Sequence, residues 1–237
     1  MYKEKTTLGI ITARGGSKGI PRKNVKLLAG FPLIAYTIKA AQNSKYLDYF
    51  LVSTDDDEIA EISKQYGALV PFMRPDELAT DKARAMPVLQ HAVNWLKENQ
   101  GREFDYIMML QPTSPQRAAE DIDSSIEKIV DTGADSVFSM KKMTDLSLKK
   151  LKVLEGDRIL PLTEDEGKES SPRDELCQDI YKRNCAIYLT KKELILGGDL
   201  FGKDSRAYIM PEERSIDINE PSDFDLAEFL MTKYGNK

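Results

Sequence analysis

The stretch Ala13-Arg14-Gly15-Gly16-Ser17-Lys18-Gly19-Ile20-Pro21-Arg22-Lys23-Asn24 follows an apolar run, Leu8 to Ile11, that reads as a first strand. A helix pattern begins soon after it, near Pro32. A glycine-rich loop carrying Arg14, Lys18, Arg22 and Lys23 therefore stands at the carboxyl end of a strand, the place where open α/β sheets bind ligands. Glycine allows backbone N–H groups to approach an anion, and the cations supply charge to hold it. The ligand this loop suits is a polyphosphate. No Gly-Lys-Ser/Thr ends it, so it is not a P-loop. Its Gly-Gly-x-x-Gly spacing is not the dinucleotide fingerprint either. A solvated basic turn is the bland alternative.

Outward from this loop, strand and helix patterns alternate. Strands are expected at Leu8–Thr12, Tyr49–Ser53, Ala68–Phe72, Tyr106–Leu110 and Asp135–Met140, and helices at Pro32–Asn43, Asp57–Tyr66, Arg84–Asn99 and Ala118–Asp131. This rhythm predicts an α/β fold with a parallel sheet covered on both faces. The pattern breaks over Lys141 to Leu176, which is polar and weakly periodic, with short strands suggested at Leu151–Leu154 and Arg158–Leu162. A stretch of that kind inside a compact domain reads as a lid, an interface or a link. Regular structure resumes with strands at Cys185–Leu189 and Arg214–Ile218, a helix near Lys191–Leu196 and a last helix over Pro221–Tyr234. The organisation expected is a nucleotide-binding core over 1–140, an insertion over 141–176, and completion of the core over 177–237.

With 237 residues, 41% hydrophobic and 31% charged, the composition is that of an ordinary globular protein. A formal net charge of −5 argues against nonspecific nucleic-acid binding. No apolar run approaches a membrane span, and Met1 to Lys5 offers no apolar signal core, so a cytoplasmic protein is expected. Cys177 and Cys185 match no zinc or redox spacing; Cys185 is expected to be a buried thiol and Cys177 unpaired. The single histidine, His91, fits a helix face better than a catalytic role.

Polar groups recur after the strands. Ser53-Thr54-Asp55 follows the second, Arg74-Pro75 with Leu78-Ala79-Thr80-Asp81 the third, and Gln111-Pro112-Thr113-Ser114-Pro115 with Arg117 the fourth. Asn184, Asp217 and Asn219 stand near the end. On a strand, 217 and 219 would share a face. An Asp-x-Asn pair would offer Mg²⁺ one anionic and one neutral oxygen, in keeping with its preference for few carboxylates plus phosphate oxygens. Together these groups describe a sheet edge able to hold a base, a triphosphate, a metal and an acceptor.

These motifs, with Asn184-Cys185-Ala186-Ile187-Tyr188 and Ser215-Ile216-Asp217-Ile218-Asn219, resemble the acylneuraminate (CMP-sialic acid synthetase) cytidylyltransferases, in the family's order from residue 13 to 219. The resemblance implies a three-layer Rossmann-like nucleotidyltransferase core with a mainly parallel sheet and a small dimerisation insertion. It implies Mg²⁺-dependent transfer of CMP from CTP to the C2 hydroxyl of a nine-carbon 2-keto sugar acid of sialic, legionaminic or pseudaminic type, with pyrophosphate released by a homodimer. Arg14, Gly15, Gly16, Ser17, Lys18, Lys23 and Asn24 would hold CTP, with Arg14, Lys18 and Lys23 acting on its phosphates. Arg74 and the backbone near Ala83 would read cytosine, and Asp81 would shape that pocket. Gln111 and Asn184 would meet the sugar acid, joined across the dimer by Lys149 and Arg173. Asp217 and Asn219 would hold the metal. Asn219 replaces the family's frequent Asp, the serine expected just after Asp81 is absent, with Arg84, Ala85 and Met86 standing there, and Cys185 replaces a glycine. Another sugar acid or sugar phosphate as acceptor, or nucleotide binding without catalysis, are the competing readings.

Overall fold

A computed structural model describes residues 1–17, 19–143, 151–162 and 180–234. Lys18, Lys149, Arg173 and Cys177 lie outside the described residues. Six strands make the main sheet: β1 (Thr7–Thr12), β4 (Tyr49–Ser53), β5 (Tyr106–Leu110), β6 (Ser136–Lys142), β9 (Tyr181–Lys191) and β10 (Ser205–Ile209). Their order is β10-β6-β9-β5-β1-β4. The sheet is parallel except for β9, which runs antiparallel to both β5 and β6. The helices are α1 (Leu33–Asn43), α2 (Asp57–Gln65), α3 (Ala85–Gln100), α4 (Ala119–Thr132), α5 (Lys192–Leu196) and α6 (Pro221–Tyr234). Two hairpins stand apart from the sheet: β2–β3 (Leu27–Leu28 with Phe31–Pro32) and β7–β8 (Lys152–Glu155 with Arg158–Pro161).

Period-two alternation builds the three layers. On β1, Leu8 and Ile10 face one side, and there they join Leu89, Ala92, Val93 and Leu96 of α3. Ile11 and Ala13 face the other side and pack with Ile34 and Ile38 of α1 and Ile122, Ile126 and Ile129 of α4. Strand β5 divides in the same way, Ile107 and Met109 against Met108 and Leu110. Because both faces are covered, β1 and β5 read as continuous apolar runs, which is the signature of a buried parallel sheet. A third cluster gathers Ile20, Leu28, Leu33, Ile218, Phe224 and Ala227. It clamps the first loop and the segment around Ile218 beneath α6.

Three expected elements are corrected. Residues 68–72 form no strand; Leu69 makes a single parallel bridge to Leu51, and Pro71, lacking an N–H, ends any longer ladder. Residues 214–218 are not a strand either. Glu212–Arg214 is one 3₁₀ turn, after which the chain runs on irregularly. Arg214 is drawn into this turn by Asp121 of α4, whose Oδ1 accepts from its Nη2 at 2.9 Å. The sixth strand is instead β10, an edge strand with mostly exposed side chains and so no apolar pattern to announce it. Strand β9 is also longer at both ends than its apolar centre suggests.

Candidate active site

Parallel pairing brings the carboxyl ends of β1, β4 and β5 to one edge of the sheet. A cavity of about 410 Å³ opens there. It is lined by residues of the first loop (Arg14, Ser17, Gly19, Lys23, Asn24), by Arg74 and the Leu78–Ala85 region, by Gln111 to Thr113, and by Asn219. Val88 and Met109 supply its apolar floor.

The first loop is held by specific bonds. The Gly15 N–H donates to Asp55 Oδ1 at 3.0 Å, and Asn24 Nδ2 donates to the Arg14 carbonyl at 3.0 Å. A Cβ on Gly15 would stand 2.7 Å from Asp56 Oδ2, and one on Gly19 would stand 2.2 Å from the Asn219 carbonyl oxygen. The second distance is impossible for real atoms, so glycine at 19 is what lets the first loop lie on the backbone of Asn219. Gly19→Ala is expected to separate the two loops, loosen the Ile20–Ile218 packing beneath α6 and weaken nucleotide binding by at least tenfold; titration of nucleotide against both proteins, with a thermal melt of each, checks it. Arg22 does not line the cavity with Arg14 and Lys23 as its place in the loop suggests. Its guanidinium pairs with Asp56 and Glu58 at the start of α2, away from the cavity.

Each cation has a defined setting. Arg14 Nη1 donates to the Thr80 carbonyl at 3.1 Å and pairs with Asp81 at 3.0 Å, drawing the Thr80–Ala83 turn over the first loop. Arg74 is buried; its Nε donates to Ser53 Oγ at 3.1 Å and its Nη2 to the Ser53 carbonyl. Burial lowers the Arg74 pKa to about 10, with Asp55 opposing and Arg14 reinforcing the shift. His91 lies edge-on to Phe72, ring centroids 4.7 Å apart, with its pKa lowered by burial and then by Arg74. It packs on the helix face, as expected.

Lys23 and Asp217 meet around one residue. Lys23 Nζ donates to the Ile218 carbonyl at 2.7 Å, and the Ile218 N–H donates to the Thr113 carbonyl at 2.8 Å. Burial depresses the Lys23 pKa; the Asp217 charge opposes this and Arg14 adds to it. The sign has two consequences. Between the native pKa and the ordinary lysine value near 10.4, the unfolded chain binds more protons, so Lys23 makes stability rise with pH across that window. Nucleotide affinity, with Lys23 as the phosphate-binding residue the sequence predicts, is expected to move the other way. It is expected to fall on the alkaline side before an ordinary lysine would titrate, and Lys23→Arg is expected to remove that limb from the pH profile of binding.

Asp217 and Asn219 are side by side although no strand aligns them: Asn219 Nδ2 donates to Asp217 Oδ2 at 3.0 Å. Asp217 Oδ1 is buried with no hydrogen-bond partner. A shielded carboxylate oxygen without a donor is a site that suits a cation. No cluster of three or more His, Cys, Asp or Glu side chains that could hold a metal exists among the described residues. One unpartnered carboxylate oxygen beside a carboxamide fits an ion that takes most of its ligands from water or phosphate, as Mg²⁺ does.

Gln111, Asn24, Ala83 and Asp81 line the same cavity. Asn184 does not. It is buried, and its Nδ2 donates to Ser215 Oγ at 2.9 Å, which ties β9 to the turn before Asp217. Its neighbour Cys185 holds φ +63°, the left-handed backbone that favours glycine, and its half-buried thiol accepts from the Tyr188 hydroxyl at 3.3 Å. Burial pushes that thiol pKa up. Sequence reasoning gave no role to Thr113, whose buried Oγ1 lacks a partner, or to Leu78 and Val88 of the lining. Position within the Gln111–Pro115 motif was the only signal for Thr113.

Comparison with known proteins agrees with this fold. The cytidylyltransferase family model matches residues 8–220. The chain is 37% identical to the CMP-N,N'-diacetyllegionaminic acid synthase of Legionella pneumophila, covering 94% of this chain and 95% of that one. It is 34% identical to N-acylneuraminate cytidylyltransferase A of Danio rerio, over 98% of this chain and 52% of the fish protein. A solved CMP:2-keto-3-deoxy-manno-octonic acid synthetase complexed with CTP superposes with a TM-score of 0.69 at 15% identity, covering 97% of this chain and 99% of that one, and shares the fold. The Rossmann-like α/β nucleotidyltransferase architecture and the sequence agree, and the chain belongs to the acylneuraminate-type cytidylyltransferase family.

Proposed function

We propose that the chain transfers CMP from CTP to the C2 hydroxyl of a nine-carbon 2-keto sugar acid of the sialic, legionaminic or pseudaminic class, releasing pyrophosphate. The observation that carries this reading is that Ile218, the neighbour of Asp217, joins Lys23 to the Gln111–Thr113 loop at the edge of a cavity lined by Lys23, Gln111, Thr113, Arg14, Arg74 and Asn219. Arg74 and the backbone near Ala83 face the cytosine, with Asp81 fixing their loop through Arg14. Arg14, Ser17, Lys23 and Lys18 hold the triphosphate. Gln111 turns the sugar acid so that its C2 oxygen attacks the α-phosphorus in line with the departing pyrophosphate. Such transfer asks the protein for positioning and charge neutralisation more than for covalent chemistry. Lys23 is held beside the α-phosphate by Ile218, and Arg14 and Lys18 take up the charge of the leaving group. Mg²⁺ would be held by Asp217 and Asn219 and, when bound, lowers the pKa of the attacking hydroxyl and screens the phosphate oxygens.

The active form in this reading is a cytoplasmic homodimer. The β7–β8 hairpin supports it: Leu154 and Ile159 pair across the ribbon and are both about two-thirds exposed, 67% and 68%. A second copy is the occupant that would cover them and bring Lys149 and Arg173 to its partner's sugar site. Among the described residues no helix is long and apolar enough to cross a membrane.

Pyrophosphate release from CTP and Mg²⁺, measured with sialic, legionaminic, pseudaminic and Kdo acids in turn, tests the proposal. Rapid release with one nonulosonic acid is expected. Nucleotide binding with no release on any acid would overturn the catalytic reading.

A further inference from the structure

Among the described residues, four cations line the cavity: Arg14, Lys23, Arg74 and Arg84. Three have partners within the protein. Arg14 is paired with Asp81, Lys23 with the Ile218 carbonyl and Arg74 with Ser53. Arg84 makes no hydrogen bond or ion pair among the described residues, and it stands exposed where α3 begins. The first turn of α3 contains no acidic residue that could neutralise it. Its backbone is fixed as the residue before the helix, whereas its guanidinium is free to turn into the cavity mouth.

A solvated surface arginine would share that lack of partner. The setting separates the two cases. Arg84 belongs to the lining of the void itself, on the wall that also carries Thr80, Asp81 and Ala83. Asp81 is the one acidic residue of the described lining and is paired with Arg14, so Lys23, Arg74 and Arg84 leave the cavity an excess of positive charge that suits an anion, and the arginine fork matches both carboxylate and phosphate oxygens. We infer that Arg84 is a substrate-binding residue that closes on an anionic group of a bound substrate and thereby helps set affinity.

The group is a phosphate of the nucleotide or the carboxylate of the acceptor, and the second source rests on the sugar-acid reading above. Arg84→Gln removes the charge at nearly constant volume, and Arg84→Lys retains it without the fork. Calorimetric titration of CTP into the full chain and pyrophosphate release with the sugar acid varied at saturating CTP read the two sources separately. A loss of about tenfold in CTP affinity with Arg84→Gln, partly restored by Arg84→Lys, assigns the phosphate. A similar rise in the KM for the sugar acid with CTP affinity unchanged assigns the carboxylate. Equality of wild type and Arg84→Gln within twofold in both measurements overturns the inference. If no acid supports release in the wild type, the acceptor reading fails by itself, and the CTP titration alone decides: weakened binding supports the assignment and unchanged binding overturns it.

Discussion

Asp217→Ala is expected to lower turnover by about a thousandfold while leaving the thermal melt within a few degrees of the wild type. The loss follows from placement. Asp217 Oδ1 is buried and has no donor, while its Oδ2 is engaged by Asn219. Losing that side chain removes the one carboxylate of the pair proposed to hold Mg²⁺. Charge stabilisation of several kcal/mol at a phosphoryl oxygen, at about 1.4 kcal/mol per decade of rate, sets the size of the effect. The fold tolerates the change because Asp217 accepts from a near neighbour, Asn219, and joins no distant elements, while removal of its unpartnered Oδ1 relieves a desolvated charge. Steady-state pyrophosphate release, with a calorimetric Mg²⁺ titration in the presence of CTP, checks both halves. Retention of activity within a factor of five would remove Asp217 from the metal site.

Arg117→Met is expected to damage stability more than any single change at the cavity. Arg117 is 3% exposed. Its Nη1 donates to the Ala186 carbonyl at 2.6 Å and the Gln111 carbonyl at 3.2 Å, and its Nη2 donates to Thr37 Oγ1 at 2.6 Å. One guanidinium therefore joins β9, the loop after β5 and α1. Burial depresses its pKa to about 9, with Asp121 opposing. Methionine fills much of the volume but leaves those acceptors without a donor. A buried acceptor left unpaired costs about 1–3 kcal/mol, so the sum is about 3–5 kcal/mol after relaxation, or a melting point lower by about 10 °C. Lysine cannot span the three acceptors and is expected to rescue little. A melt shifted by less than two degrees would show that the network is dispensable.

Much of the architecture was legible because both faces of the sheet are covered. The buried strands Tyr49–Ser53 and Tyr106–Leu110 and the helix Pro221–Tyr234 match their sequence readings residue for residue. What escaped was structure specified by partners rather than by periodicity. Strand β10 has little apolar content and is placed by pairing with β6. The turn at Glu212–Arg214 depends on Asp121, far away in sequence. At the site, residue type and strand-end position gathered Arg14, Lys23, Arg74, Asp81 and Gln111 at one cavity. The sequence could not tell a residue that lines the cavity from one that braces it. Asn184, Arg117 and Arg22 carry the same chemistry as their neighbours, and only their tertiary hydrogen bonds reveal the bracing role.

Ile218 sets an order of assembly. A nascent chain that has left the ribosome only as far as Ile209 already possesses all six strands of the main sheet. It lacks the backbone groups that receive Lys23 and that donate to Thr113, and it lacks the Phe224 and Ala227 side chains that press Ile218 and Ile20 together. Under the proposed roles of these residues, nucleotide competence is therefore expected only once the last helix docks. A truncated product of interrupted synthesis would keep much of its sheet yet be unable to sequester CTP.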